Sequence, residues 1–443
     1  MQRSSDDGEV GDPAGWKPAL PDAAPVPRTT NMARMIYAIA TMDTKGEEIA
    51  FVAQQARQAG THVLTVDVGT SQPPVVTPDI PRERVAACHP AGAPAALGHT
   101  DRGQAVSAMS AALVAFLKAE HDAGKLGGVI GLGGSGGTAL IAPALRALPI
   151  GLPKLLVSTV ASGNTAPYVG CCDLTLMYSV VDVAGLNRVS REVLANAAHA
   201  IAGMVTGARP TVGRKPTLGM TMFGVTTPCV TAVRQALEAR GFDCLVFHAT
   251  GTGGQAMEKL VASGLIDGVL DITTTEVADE VVGGVFPAGP ERFDAILERR
   301  IPYVISLGAL DMVNFGARDT VPPAFRERKL HVHNPQVTLM RTTPAENRQF
   351  ARWIAGKLNR SQAPLILLIP ERGVSAIDAP GQPFHDPEAD AALFDELERA
   401  VQPTPTRQIC RLRHHINDPE FARALVEAYF ELAQATTVPG TSA

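Results

Sequence analysis

Short apolar runs, each closed by a polar stretch rich in Gly or Thr and then followed by a segment of helical period, recur along this chain. Ile36 to Thr41 reads as a buried strand, Met42 to Gly46 as a polar loop and Glu47 to Gln58 as a helix stopped at Ala59 and Gly60; a second strand runs from Thr61 to Asp67. The same order returns in the second half. Thr217 to Phe223 is a strand, Gly224 to Pro228 a loop, the next helix reaches Arg240, and Cys244 to His248 is the following strand. Gly127 to Leu132 is then answered by Asp267 to Ile272, and Pro153 to Ser158 by Pro302 to Ser306. Continuous apolar strands alternating with amphipathic helices predict parallel strands covered on both faces, because each crossover helix packs back over its sheet. The fold class expected is therefore α/β, with two doubly wound, mainly parallel-sheet Rossmann-like domains, and the echo points to an internal duplication.

Arg188 to Val205 predicts a long helix, and Gly207 to Arg214 has the composition of a linker. The second half closes with strands at Leu365 to Ile369 and Gln408 to Leu412. Its last helices begin at Asp386-Pro387 and Asp418-Pro419, where Asp caps and Pro takes the first helical position. Thr343 to Glu346 forms a capping box. The organisation expected is a disordered extension over 1–33, a nucleotide-binding domain over 34–206, a linker over 207–215, a second domain over 216–436 and a disordered tail over 437–443.

Composition narrows the function classes. A chain of 443 residues with 45% hydrophobic and 19% charged residues suits two or three domains with sizeable cores. The net charge of -5 and the lack of any basic run beyond Arg326, Arg328 and Lys329 argue against a nucleic-acid partner; that cluster reads as a solvated surface. No segment offers about 18 uninterrupted apolar residues, and the first residues lack a secretory apolar core, so the expectation is a cytoplasmic protein with no membrane span. Cys88, Cys171, Cys172, Cys229, Cys244 and Cys410 form no CxxC pair, so neither a zinc site nor a disulfide framework is expected.

The stretch GLGGSGGT, Gly131 to Thr138, lies between a strand and a helix running from Ala139 to Leu148. Glycines let backbone approach a ligand closely, and the free amides of a helix start favour an anion. Gly133, Gly134, Ser135, Gly136, Gly137 and Thr138 are the candidates, with Ser135 and Thr138 adding hydroxyls; a tight turn for close packing is the alternative use of such glycines. The spacing GxGxxG is present, but no Asp or Glu occurs from Gly131 to Cys172, so the ribose-binding acid of a dinucleotide site is missing. A Walker loop would need a lysine before Thr138, where Gly137 stands. Two further loops belong to the same sheet edge. Asp43, Thr44, Lys45 and Gly46 offer a cation for phosphate and a carboxylate for Mg²⁺, while Ser162, Gly163 and Asn164 offer uncharged donors.

The second half has its own polar strand ends: Thr226 and Thr227, Thr252, Gly253 and Gly254, Thr274 and Glu276, Asp311 and Asn314, and His331 and His333. They are expected to line a cleft between the domains, as the site of a second substrate. His331 and His333 would share one strand face, yet no third metal ligand is defined, so no metal is assigned. Glu276, Asp279 and Glu280 share a helix face, which fits a general base or a solvated acidic face equally.

Several of these motifs together resemble the Tm-one-like ATP-binding family. The stretches are ATMDTKGE (Ala40 to Glu47), GLGGSGGT (Gly131 to Thr138), FHATGTGG (Phe247 to Gly254), DITTTE (Asp271 to Glu276) and GALDMVNFG (Gly308 to Gly316). The resemblance runs from about Met35 to about Ala435. It implies two Rossmann-like domains, ATP bound by the first, and a homodimer; it supplies no catalytic residue. Some members continue into a TIM-barrel domain, which here would be a separate partner protein. Three readings of function stay open. One is an ATP-dependent enzyme of small carboxylic-acid metabolism, the second a nucleotide-binding module acting through protein contacts, the third an NAD-dependent oxidoreductase.

Overall fold

The computed structural model describes residues 35–208 and 215–437. The expected extension over 1–33, most of the expected linker and the residues after 437 lie outside that range. The first domain runs β1 (Met35–Ala40), α1 (Met42–Gln58), β2 (Val63–Asp67), α2 (Arg82–Ala86), α3 (Ala93–Leu97), α4 (Arg102–Asp122), β3 (Leu126–Gly133), α5 (Ser135–Ala147), β4 (Lys154–Ser158), α6 (Ala166–Val169), β5 (Thr175–Tyr178) and α7 (Arg188–Thr206). The second runs β6 (Thr217–Met222), α8 (Thr227–Glu238), β7 (Asp243–His248), α9 (Thr252–Ala262), β8 (Gly268–Thr273), α10 (Thr275–Val282), α11 (Asp294–Arg299), β9 (Tyr303–Gly308), β10 (Met312–Phe315), β11 (Leu330–Asn334), β12 (Val337–Arg341), α12 (Pro344–Leu358), β13 (Leu365–Pro370), α13 (Pro387–Ala400), β14 (Arg407–Leu412) and α14 (Pro419–Thr437).

The first sheet has the order β2-β1-β3-β4-β5 and the second β7-β6-β8-β9-β13-β14, with every pairing in both parallel. Read by rank within each domain, the second order repeats the first and adds one strand, so the echo in sequence is an echo in topology. Central strands β3 and β9 are buried along their whole length, which explains their unbroken apolar character. The expected caps are present: Thr343 and Glu346 bond reciprocally at α12, and Asp386 caps α13.

In the first domain, α1 and α7 pack on one face of the sheet through Ile49, Val52, Leu194 and Ile201, while α4 and α5 pack on the other through Met109, Leu113, Leu140 and Ile141. The helix after β1 and the helix after β3 therefore leave adjacent strands in opposite directions. That divergence makes the carboxyl edge between β1 and β3 a topological switch point, the place where ligands of open α/β sheets bind. The second domain repeats the divergence between β6 and β8, with α8 in one core and α10 in the other.

Several elements lay beyond the sequence pattern, α4 and β5 among them, and so did the strand pairing of one insertion. β10, β12 and β11 form a small antiparallel sheet inserted after β9. Its strands are short, and β11 is largely exposed, so they carry no continuous apolar run to announce them. The insertion also changes the reading of the basic cluster. Arg328 is half-buried, donating to Glu346 at 2.8 and 3.0 Å and to the Arg341 carbonyl, so it anchors the insertion onto α12.

Candidate functional site

The glycine loop sits at the first-domain switch point. Gly133 ends β3, Gly134 is the N-cap of α5, and the helix begins at Ser135. A Cβ on Gly133 would lie 2.8 Å from the backbone of Gly137 and Thr138, so that glycine is required by close strand-to-helix packing. At Gly134, by contrast, the nearest atom is Thr159 Oγ1 at 3.9 Å, and Ser135 is exposed. The Thr138 amide closes the first helical turn on the Gly134 carbonyl at 2.8 Å. The amides of Ser135, Gly136 and Gly137 have no hydrogen-bond partner among the described residues. Thr138 plays a structural part: its hydroxyl is buried and pairs with Ser158 Oγ at 2.6 Å, tying the helix start to the end of β4.

The neighbouring loops contribute unequally. Lys45 interrupts the first turn of α1 with non-helical angles, is half-buried, and has no ion pair or side-chain hydrogen bond among the described residues. Asp43 accepts from the amides of Ser71 and Gln72 at 3.2 and 3.4 Å, so it holds the loop that follows β2. Thr44 caps locally onto the Thr41 carbonyl. Gly46 leaves room for Val75, whose methyl would sit 2.6 Å from a Cβ there. Ser162, Gly163 and Asn164 are exposed beyond β4, with Asn164 Oδ1 accepting from the Ala166 amide.

Two residues of this edge carried no sequence signal. Arg102, the first residue of α4, places its guanidinium 3.3 Å from where a Gly136 Cβ would be. It lies 34 positions before Gly136 on an element that the apolar pattern did not mark, and no ion pair is formed by it among the described residues. Asp67, buried at the end of β2, accepts from the amides of Met42 and Gly69 at 3.0 and 2.7 Å. Burial raises its carboxyl above the usual range. It stands where dinucleotide enzymes keep the ribose acid, but the glycine loop here follows the third strand of the sequence rather than the first, and the carboxylate is already bonded.

The polar strand ends of the second domain prove to be interior. Thr226, Thr274, Glu276, Asp311 and Asn314 are all buried within the domain instead of facing a cleft between domains. Glu276 accepts from the amides of Gly251 and Gly254 at 2.8 and 3.0 Å and from Arg292 Nε at 3.0 Å. Arg292 also pairs with Asp271 and Glu258, and Tyr303 donates to Asp271 at 3.0 Å. Thr221 bonds Asp271, and Thr226 pairs with Thr273 at 2.8 Å. Asn314 and the Phe286 amide close on Asp279. Burial holds the carboxyls of Glu258 and Asp279 up at about 7 and raises that of Glu276.

The remaining members of that group scatter. Thr227 is exposed and donates to the Phe223 carbonyl, while Gly253 has no room for a Cβ against the backbone of His248. The exposed Thr252 faces the first domain, its carbonyl 3.3 Å from Cys171 Sγ; Lys259 crosses the same junction to the Arg146 carbonyl. His331 and His333 lie two apart on β11, with His331 packed edge-on against Phe384. Among the described residues no group of His, Cys, Asp or Glu converges as metal ligands, and no helix is long and apolar enough to cross a membrane. All six cysteines are free.

Two consecutive, topologically matched parallel-sheet domains define a two-domain Rossmann-like α/β protein. Residues 34–210 match the model of the N-terminal domain, and residues 215–433 that of the C-terminal domain, of the uncharacterised protein family UPF0261; the chain belongs to that family. It is 56% identical over 400 residues to a UPF0261 protein of Rhizobium meliloti, covering 90% of this chain and 99% of that one. A UPF0261 protein of Mesorhizobium japonicum is 52% identical over 401 residues, covering 90% and 100%. The ToMV resistance protein Tm-1 of Solanum lycopersicum is 49% identical over 419 residues, which cover 90% of this chain and 56% of the tomato protein.

Proposed function

We propose that this chain binds a nucleotide, ATP in the first instance, through its first domain. The observation that carries the reading is the set of three unpartnered amides at Ser135, Gly136 and Gly137, open at the topological switch point of a parallel sheet. Arg102 and Lys45, neither in an ion pair among the described residues, supply cationic groups for the outer phosphates. Asp43 is the candidate for Mg²⁺, which would compete with the amides of Ser71 and Gln72 for its carboxylate. Glycines at 134 and 136 keep side chains out of the space that phosphate oxygens would take.

The reading extends to a homodimer in the cytoplasm, and to joint action with a TIM-barrel protein or with a small carboxylic acid as second substrate. An ATP-dependent enzyme and a module that acts through protein contacts both start from this same binding step. They separate by turnover, which the enzyme shows and the module does not.

The test is calorimetric titration of the full chain with ATP and Mg²⁺, alongside Gly134→Asp. That position has open space around it, so the substitution preserves the fold while placing a carboxylate among the amides. A loss of affinity of at least a hundredfold, about 2.7 kcal/mol, is expected. Equal affinity in both proteins removes the site, and tighter binding of NAD than of ATP replaces the nucleotide.

A further inference from the structure

A cavity of about 840 Å³ opens at the carboxyl ends of β13 and β14, between the loops that follow these strands and the first turns of α13. Its volume is in the range of small-molecule sites, and Pro380 and Phe394 give it an apolar wall. Asp390, on α13, lines the cavity although it is only 6% exposed. Its Oδ1 accepts from Arg341 Nη2 at 2.6 Å, and its Oδ2 has no partner among the described residues.

The surroundings of Asp390 hold more carboxyls than guanidinium groups. Arg341 is the guanidinium in reach; it lies 3.9 Å from Asp378 Oδ1 and donates to the Asp311 carbonyl. Asp378 and Asp311 are buried, and each keeps an Oδ1 without a hydrogen-bond partner. The carboxyls of Asp390 and Asp378 thus share one guanidinium, with that of Asp311 near the same group. Burial raises the carboxyls of Asp311 and Asp390, as expected of a cluster short of positive charge.

At the rim one guanidinium is left without an ion pair among the described residues, beside the lining carboxylates Glu371 and Asp418. Arg372 is exposed on the cavity wall, its amide held by the His414 carbonyl at 3.1 Å, and its guanidinium has no ion pair among the described residues. Arg411 beside it is spent on Glu371, Asp395 and Glu398. His415 is engaged with backbone: its Nδ1 accepts from the Asn417 amide at 3.1 Å, and its Nε2 lies 2.9 Å from the Ser375 carbonyl.

A buried carboxyl with one oxygen free inside, an unpaired guanidinium at the rim and an apolar wall between them describe the complement of a zwitterion, whose ammonium would draw the Asp390 carboxyl into its charged form. We propose that this cavity binds a small aminocarboxylic acid, its ammonium on Asp390 and its carboxylate on Arg372. The proposal is independent of nucleotide binding in the first domain, because it uses other residues on another sheet.

The test is calorimetric titration of the full chain with 2-aminobutanoate, 4-aminobutanoate, butanoate and butylamine at millimolar concentration. At least one aminobutanoate is expected to bind, with the two single-headed probes at least tenfold weaker. Asp390→Asn and Arg372→Ala are each expected to lower that affinity at least tenfold. Thermal melts check folding; Arg372 is exposed, so Arg372→Ala decides the question if Asp390→Asn does not fold. The proposal is overturned if neither aminobutanoate binds, if butanoate or butylamine binds as well as they do, or if binding survives Arg372→Ala unchanged.

Discussion

In the first domain the amides of Ser135, Gly136 and Gly137 stand open, while in the second the amides of Gly251 and Gly254 are closed by Glu276. Both loops are glycine-rich, and both lie at the carboxyl edge of a sheet wound in the same order. The glycines serve different ends. Gly254 leaves its space to a carboxylate of the protein, since a Cβ there would collide with Glu276, whereas Gly134 leaves its space empty. A strand end after the third strand of each domain thus carries a cradle in one case and the plug of a neighbouring cradle in the other. The comparison teaches that a glycine run marks backbone approach to a negative group, and that the structure decides whether the group is a side chain or a guest.

The largest expected effect breaks the closed half. Glu276→Ala would leave two loop amides and Arg292 without their shared partner, in a region where Asp271 and Glu258 remain buried. Removing one member of such a network costs about 3–5 kcal/mol, read as a lower urea midpoint. A loss under about 1 kcal/mol would show that the network is not a stabilising unit.

Titration separates the halves next. Burial lifts the carboxyls of Glu258 and Asp279 to about 7, so the folded second domain holds protons that the unfolded chain releases near pH 4. Their contribution to stability is complete below about pH 4 and is lost as pH rises toward about 7. The melting midpoint of the second domain should fall between about pH 4 and about pH 7. Carboxyls held low elsewhere, at Glu120, Asp173 and Glu346, act with opposite sign at more acidic pH and do not mask this. A midpoint that rises over the interval contradicts the assignment.

The smallest effect sharpens the open half. Arg102→Ala removes an exposed guanidinium beside Gly136 and should weaken ATP binding about tenfold, near 1.4 kcal/mol, with no change in melting midpoint. An unchanged affinity would place the phosphates away from Gly136.

Much of this architecture was legible in the letters because strand and helix announce themselves by period. β1 to β4, β6 to β9 and the caps of α12 and α13 fall where the apolar runs, the Thr343 to Glu346 capping box and the Asp386-Pro387 pair put them. The glycine loop was legible for the same local reason. Burial of the polar strand ends was not, since Thr274, Glu276 and Asn314 look alike whether they face a cleft or an internal arginine. Arg292, which decides the matter, lies in a stretch without pattern. Asp390 and Arg372 were hidden similarly: one follows a cap, the other a strand, and only the tertiary fold brings both to one cavity.

Hydrogen exchange with and without ATP and Mg²⁺ tests the contrast between the two loops most directly. Slowed exchange is expected in peptides spanning Ser135 to Gly137, with unaltered exchange across Gly251 to Gly254. Protection at the second loop with none at the first would contradict it.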